Sequence, residues 1–219
     1  MAVRSLYMVR AFLYAPDSDG YFRLPGQISS FVDELVTAAR GSLALLMGDR
    51  RAPDYFDFSQ RGVIGSFIAL LGIMVIEAVV PMLLGATPRP GSVTRAMVST
   101  GILYAGQLGA SAAVLRQLSR SDGFWPYVVC LNWVSAFLAA ITLVLLVMRI
   151  DSSVMFIAAI LIGLAIQINI ARLVVTLKPG QIVLLLVAQF AATLACILVI
   201  GALFPLSPEE AAQLQRSFQ

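Results

Sequence analysis

The sequence predicts an all-α fold: an integral membrane bundle of five transmembrane helices with an N-terminal amphipathic interfacial helix. The first observation that supports this prediction is the composition. Only 12% of the 219 residues are charged and 59% are hydrophobic, whereas a soluble domain carries about 25% charged residues. The second observation is that apolar stretches of spanning length, separated by short loops, follow one another from residue 62 onward. A soluble body of this size could not cover its core with so few charges.

Five apolar stretches each have the ~20 residues that ~30 Å of hydrocarbon requires. They cover residues 62–84, 96–115, 125–148, 153–177 and 181–204. The second is the most polar because it is rich in Gly, Ala and Ser, but Arg95 and Arg116 delimit it. The sequence thus predicts a transmembrane domain (62–204) between a cytoplasmic N-terminal segment (1–61) and a short polar tail (205–219).

Residues 1–27 mix charges, prolines and glycines and predict a loop or weakly ordered tail. Residues 29–47 have helical periodicity but carry too many charges to span a bilayer. The apolar stripe of this helix comprises Phe31, Leu35, Val36, Ala39, Leu43 and Leu46. An interfacial position on the lipid surface is the first interpretation. Packing on a partner subunit or on this protein's own loops is the alternative.

A polar hinge with interleaved aromatic residues joins this helix to the first span. Its charged residues Arg50, Arg51, Asp54 and Asp57 are expected to contact lipid headgroups or a protein partner. The neighbouring aromatic residues suit the headgroup belt of a membrane.

Lys and Arg residues near the spans predict the orientation. The side of the N-terminus holds seven in residues 1–61 together with Arg116, Arg120, Arg172 and Lys178. The other side holds Arg89, Arg95, Arg149 and Arg216. This asymmetry favours a cytoplasmic N-terminus and an external C-terminus. Arg4 and Arg10 interrupt the first apolar run, so no signal peptide is expected, and the tight loops suit a bacterial inner membrane.

Polar side chains inside hydrocarbon are costly and are therefore the candidate functional residues. They are Glu77, Gln107, Asn132, Gln167, Asn169, Arg172 and Gln189. At ~1.5 Å rise per residue, four helices place an amide in one layer of the inner half. That layer is interpreted as interhelical hydrogen bonding, with a ring that coordinates a solute as the alternative. Glu77 lies nearer the outer face, where Arg95 is its expected partner.

Gly101, Ala105, Gly109 and Ala113 place a small residue at every fourth position of the second span. Such a ridge lets a neighbouring backbone approach closely. It predicts that the second span is the central packing helix, and dimerisation is the alternative. Cys130 and Cys196 are predicted at depths of ~8 Å and ~22 Å from the same face, so they are not expected to form a disulfide.

Two stretches, Leu115–Val134 and Ile168–Leu185, resemble the turns between spans two and three and between spans four and five of the Yip-domain (Ypt-interacting-protein) family. The segments Leu46-Met-Gly-Asp and Phe56-Asp-Phe-Ser resemble its bacterial members too. The resemblance covers roughly residues 40–205. It implies a small polytopic membrane protein, and no catalytic residues transfer because none are known for the family.

The sequence contains no histidine, no phosphate-binding loop and no paired carboxylates within a span. We therefore expect no enzyme, no metal, no cofactor and no nucleic-acid partner. The favoured function is a non-enzymatic membrane scaffold or accessory subunit that contacts the bilayer and a membrane protein partner or a second copy. A small transporter or channel component that uses the polar layer is the alternative. A lipid-modifying enzyme ranks third, since only Asp54 and Asp57 are placed for one.

Overall fold

A computed structural model of the chain describes residues 31–85, 87, 90–148 and 152–205. The predicted tail at 1–27, the first two residues of the predicted amphipathic helix and nearly all of the predicted polar tail lie outside these residues. So do Arg89, Arg149 and Arg216, which entered the predicted orientation.

Six α-helices follow one another in the described part of the chain. They are α1 (Phe31–Met47), α2 (Gln60–Leu83), α3 (Ser92–Gln117), α4 (Phe124–Val147), α5 (Ser152–Asn169) and α6 (Pro179–Leu203). Short 3-10 turns occupy Ala52–Tyr55 and Ser121–Gly123, and a π-helical turn follows α5 at Ile170–Val174. Five helices are long and apolar enough to cross a membrane. This confirms the predicted fold class. Four predicted spans differ from their helices by at most four residues at either end, whereas the fourth, predicted to end at residue 177, extends past the end of α5 at Asn169 and past the π-helical turn.

Local sequence explains where the helices begin. The hydroxyl of Ser59 accepts a hydrogen bond from the Gly62 backbone at 3.3 Å and so caps α2. The Asp57 carboxylate holds Ser59 in place by accepting from its backbone N–H and its hydroxyl, both at 2.8 Å. Pro179 opens α6, where the missing N–H costs nothing because the first turn has no intrahelical acceptor.

The bundle is built around α4, which carries eight of the buried residues. α2 packs mainly on α4, whereas α3 packs mainly on α6. The prediction that the second span is the central packing helix is therefore wrong. Its ridge residues Gly101, Ala105, Gly109 and Ala113 are all exposed.

The close approach of α3 to α6 uses a different glycine. A Cβ added at Gly106 would lie 2.3 Å from the Cys196 sulfur, whereas none would meet an atom within 4 Å at Gly101 or Gly109. The four-residue spacing identified a ridge of small residues on α3. The face of α3 that packs on α6 lies one residue further along the helix, at Gly106. The two cysteines are both free thiols, as predicted, with Cys130 buried in α4.

Helix α1 packs on α4 and α5 of its own chain. The side that packs carries mostly small residues, and Ala38, Ser42 and Leu45 are buried. Three residues of the predicted apolar stripe stay outside, with Leu35 47%, Val36 44% and Leu43 44% exposed, whereas Leu46 packs against the core. The structure thus combines two features of the alternatives drawn from the sequence: α1 rests on its own bundle and presents an apolar surface outward.

Candidate functional site

The first polar cluster joins α2, α3 and α4 around the buried amide of Asn132. Its nitrogen donates to the Ser66 hydroxyl at 3.1 Å, and its oxygen accepts from the Tyr104 hydroxyl at 2.5 Å. Ser66 in turn donates to the Val63 carbonyl at 2.7 Å. Both ends of the Asn132 amide therefore bond to neighbouring helices, which is the role that a polar side chain takes between helices in a membrane.

The second polar cluster joins α3, α4, α5 and α6 around Gln189, which is 4% exposed. Its nitrogen donates to the Tyr127 hydroxyl at 2.6 Å and to the Ser111 hydroxyl at 2.8 Å. Its oxygen accepts from the amide of Gln167, which also donates to Tyr127 at 3.2 Å. Ser111 donates to the Gln107 carbonyl at 2.7 Å. One glutamine thus ties four helices together.

The predicted layer of amides is therefore split. Gln167 and Gln189 meet, Asn132 bonds in its own cluster, and Gln107 takes part only through its backbone carbonyl. The residues predicted from the sequence were amides and charged groups, and they did not include the hydroxyls that complete both clusters: Ser66, Tyr104, Ser111 and Tyr127. A tyrosine in mid-span is a usable signal, because a buried phenol normally finds a hydrogen-bond partner.

The side chains of Glu77 and Gln107 lie outside both clusters, along a groove between α2 and α3 with a volume of about 830 Å³. Glu77 is exposed, and no hydrogen bond or ion pair from a described residue reaches its carboxylate. Arg95 turns instead to the end of α6, where it donates to the Phe204 carbonyl at 3.1 Å and lies over its ring. The expected pairing of Glu77 with Arg95 is wrong for that reason.

Asn169 and Arg172 serve the attachment of α1. Asn169 donates to the Leu45 carbonyl at 2.7 Å, one of the last-turn carbonyls that a helix cannot satisfy itself. The exposed Arg172 lies beside Gly48, whose φ of +70° ends the helix; a Cβ there would be 3.2 Å from the guanidinium. A cation at a helix C-terminus is favourable, so both residues stabilise the end of α1.

The turns 48–59, 118–123 and 170–178, with the adjoining helix ends, form what we call the base. Arg120 joins two of these turns, donating to the Val175 carbonyl at 2.5 Å and to the Thr176 hydroxyl at 2.7 Å. From the sequence, Arg120 contributed only to the predicted orientation. In the structure it also donates to the carbonyl of Thr176 at 3.3 Å, a residue with a φ of +58°.

The hinge residues of the base divide into two kinds. Asp57 is committed to the cap of α2. Arg50, Arg51 and Asp54 are exposed, and Asp54 and Arg51 contribute backbone bonds to the 3-10 turn. Their side chains remain accessible to the contacts with headgroups or a partner that the sequence predicts.

Glu34 of α1 holds the one buried side-chain oxygen without a hydrogen-bond partner among the described residues, its Oε1. That atom faces α2, because a Cβ added at Gly65 would lie 2.6 Å from it. Burial raises the pKa of Glu34, the Arg61 guanidinium opposes this rise, and Asp57 adds to it. The contact between α1 and α2 therefore includes a carboxyl group whose pKa lies above its ordinary value.

Five spanning helices joined by buried amide–hydroxyl bonds define a multi-pass integral membrane protein. Among the described residues, no group of three His, Cys, Asp or Glu side chains could hold a metal ion. Comparison of the chain with protein-family models, with curated proteins and with solved structures finds no match in any of the three.

Proposed function

We propose that the protein is a non-enzymatic scaffold or accessory subunit of a membrane assembly. The observation that carries this proposal is the pairing of the intramembrane amides with hydroxyls of the same bundle. Asn132, Gln167 and Gln189 all bond to side chains of other helices. Amides bonded in this way hold helices together, which supports a structural role over a ring that coordinates a solute.

The exposed face of α1 supports a partner surface. Leu35, Val36, Leu43 and Met47 are between 44% and 74% exposed, while the opposite side of the helix is buried against the bundle. A helix held in place by one face presents the other without paying the entropy of ordering it at binding. The accessible charges of Arg50, Arg51 and Asp54 lie at the end of the same helix.

Charge distribution supports the predicted orientation. Eight of the nine Lys and Arg residues in the part of the chain that the structure describes lie in α1 or at the base, and Arg95 lies at the opposite end. The positive-inside rule then favours a cytoplasmic base, and we propose a bacterial inner membrane as the location. The resemblance to bacterial Yip-domain proteins stays a prediction that agrees with this role.

Photo-crosslinking in native membranes tests the proposal. A photoreactive amino acid replaces Leu43 in the full chain, and Leu164 of α5 serves as the matched control because the two leucines are 44% and 45% exposed. We expect a protein adduct of discrete mass from position 43 and lipid adducts alone from position 164. Equal adducts at both positions, together with solute flux through liposomes that hold the purified protein, would support the transporter alternative.

A further inference from the structure

The groove between α2 and α3 is a lateral opening in the bundle. These helices are consecutive, yet α2 packs mainly on α4 and α3 mainly on α6. Apolar side chains such as Phe67, Leu71 and Leu103 line most of the groove. A smaller hollow of about 410 Å³ shares Glu77 and Thr100 with it and continues to Ser92 at the start of α3. From Gln107 to Ser92 the opening runs ~22 Å along the helix.

Two hydrogen-bond acceptors of this apolar groove belong to one residue, Glu77. The carboxylate of Glu77 has no partner among the described residues. Pro81 lies inside α2 four residues later and has no N–H, so the helical hydrogen bond that would end on the Glu77 carbonyl is missing.

This arrangement specifies the chemistry of a ligand. Acidic side chains at hydrocarbon depth normally pair or face water. A ligand that binds at the Glu77 turn should therefore supply a hydrogen-bond donor, preferably a cationic one. A primary ammonium has three N–H donors and no acceptor. The groove volume of about 830 Å³ falls in the range of small-molecule sites, about 300–1,000 Å³. A helix ~10 Å in diameter and ~22 Å long occupies ~1,700 Å³, about twice the groove volume.

We propose that the groove between α2 and α3 binds one amine-headed lipid from the leaflet remote from α1. Glu77 lies six residues before the end of α2, so the ammonium enters ~9 Å from that end. It donates to the Glu77 carboxylate and to the Glu77 carbonyl. The acyl chain then lies along Phe67, Leu71 and Leu103, over Gly101, whose lack of a side chain leaves the groove open.

Lipid retention in nanodiscs, read by native mass spectrometry, tests this site. Phosphatidylethanolamine and phosphatidylcholine provide a matched pair of probes because their heads differ in N–H donors and not in net charge. We expect the full chain to retain phosphatidylethanolamine about tenfold over phosphatidylcholine, the effect of one charge-assisted hydrogen bond. Phosphatidylglycerol, which has no cationic group, is expected to be excluded.

Two variants test the headgroup part and the acyl-chain part of the site separately. Glu77→Gln should abolish the preference for the ethanolamine head while lipid is still retained. Gly101→Leu should fill the groove and remove retention altogether. Gly109→Leu is the matched control, because Gly109 lies on the same helix with no atom within 4 Å of an added Cβ and does not line the groove; it should bind as the wild type does.

Several results would overturn the proposal. Equal retention of both zwitterionic lipids by the wild type would remove the role of the ammonium group. A preference that survives Glu77→Gln would place the headgroup elsewhere. A dimer mass without bound lipid would show that a second copy, and not a lipid, covers the groove.

Discussion

Asn132 and Glu77 are polar residues on neighbouring spanning helices, and they have opposite surroundings. Asn132 is buried and bonds to Ser66 and Tyr104, whereas Glu77 is exposed on a groove and bonds to no described residue. Both were candidates on the sequence, since each is costly in hydrocarbon. The difference separates a polar group that bonds within the described bundle from one that does not. The former holds helices together, and the latter is where we propose that a lipid binds.

Gln189→Ala is the strongest test of this distinction. The substitution removes bonds to Tyr127, Ser111 and Gln167 and leaves those groups buried. We expect the free energy of unfolding to fall by about 2–3 kcal/mol, measured by titration with a denaturing detergent in mixed micelles.

Gln107→Ala is the control for that experiment. The Gln107 side chain lines the groove and makes no hydrogen bond with a described residue. Its loss should change stability by less than about 0.5 kcal/mol. A similar loss from the two glutamines would mean that the bonded clusters and the groove do not differ energetically.

Gly106→Ala separates the packed face of α3 from its exposed ridge. The added methyl would lie 2.3 Å from the Cys196 sulfur, and such overpacking typically costs about 1–3 kcal/mol. The double variant with Cys196→Ala should recover most of this, because the nearest remaining atom of that residue is 3.9 Å away. Gly109→Ala should show no loss in the same unfolding assay. A double variant no more stable than Gly106→Ala alone would contradict the proposed clash.

The spanning helices were predictable because length and hydropathy alone decide whether a segment can cross a bilayer. Which faces pack was not. A spanning helix is apolar on all sides, so periodicity carries little information about its neighbours. Gly101 and Gly106 are equally plausible packing positions on the sequence, and only the path of α6 past Cys196 distinguishes them.

The amides of the two clusters were among the residues predicted from the sequence, but their grouping was not. Depth along the helix predicted a similar level for Asn132 and Gln189, whereas the rotation of each helix decides which hydroxyl they meet. Asn169 illustrates the same limit. It was assigned to the amide layer by depth, yet it bonds to Leu45 of α1, a helix whose docking on the bundle the sequence left open.

Glu34→Gln extends the comparison to the contact between α1 and α2, and its expected effect is the smallest. Burial raises the pKa of Glu34 above its ordinary value of 4.5, with Arg61 opposing and Asp57 adding to the shift. The folded chain therefore binds this proton more tightly than the unfolded chain. Attachment of α1 should strengthen as the pH falls through the raised pKa, and the gain should be complete below 4.5.

Amide hydrogen exchange in α1, corrected for the intrinsic pH dependence of exchange, measures this effect. Wild-type α1 should be better protected at mildly acidic than at neutral pH, and Glu34→Gln should show protection that hardly varies with pH. Asp54→Asn, which changes an exposed carboxylate at the base, should keep the wild-type behaviour. If Glu34→Gln retained the full pH dependence, another group would control it. That result would show that burial of the Glu34 carboxyl against Gly65 does not control the attachment of α1.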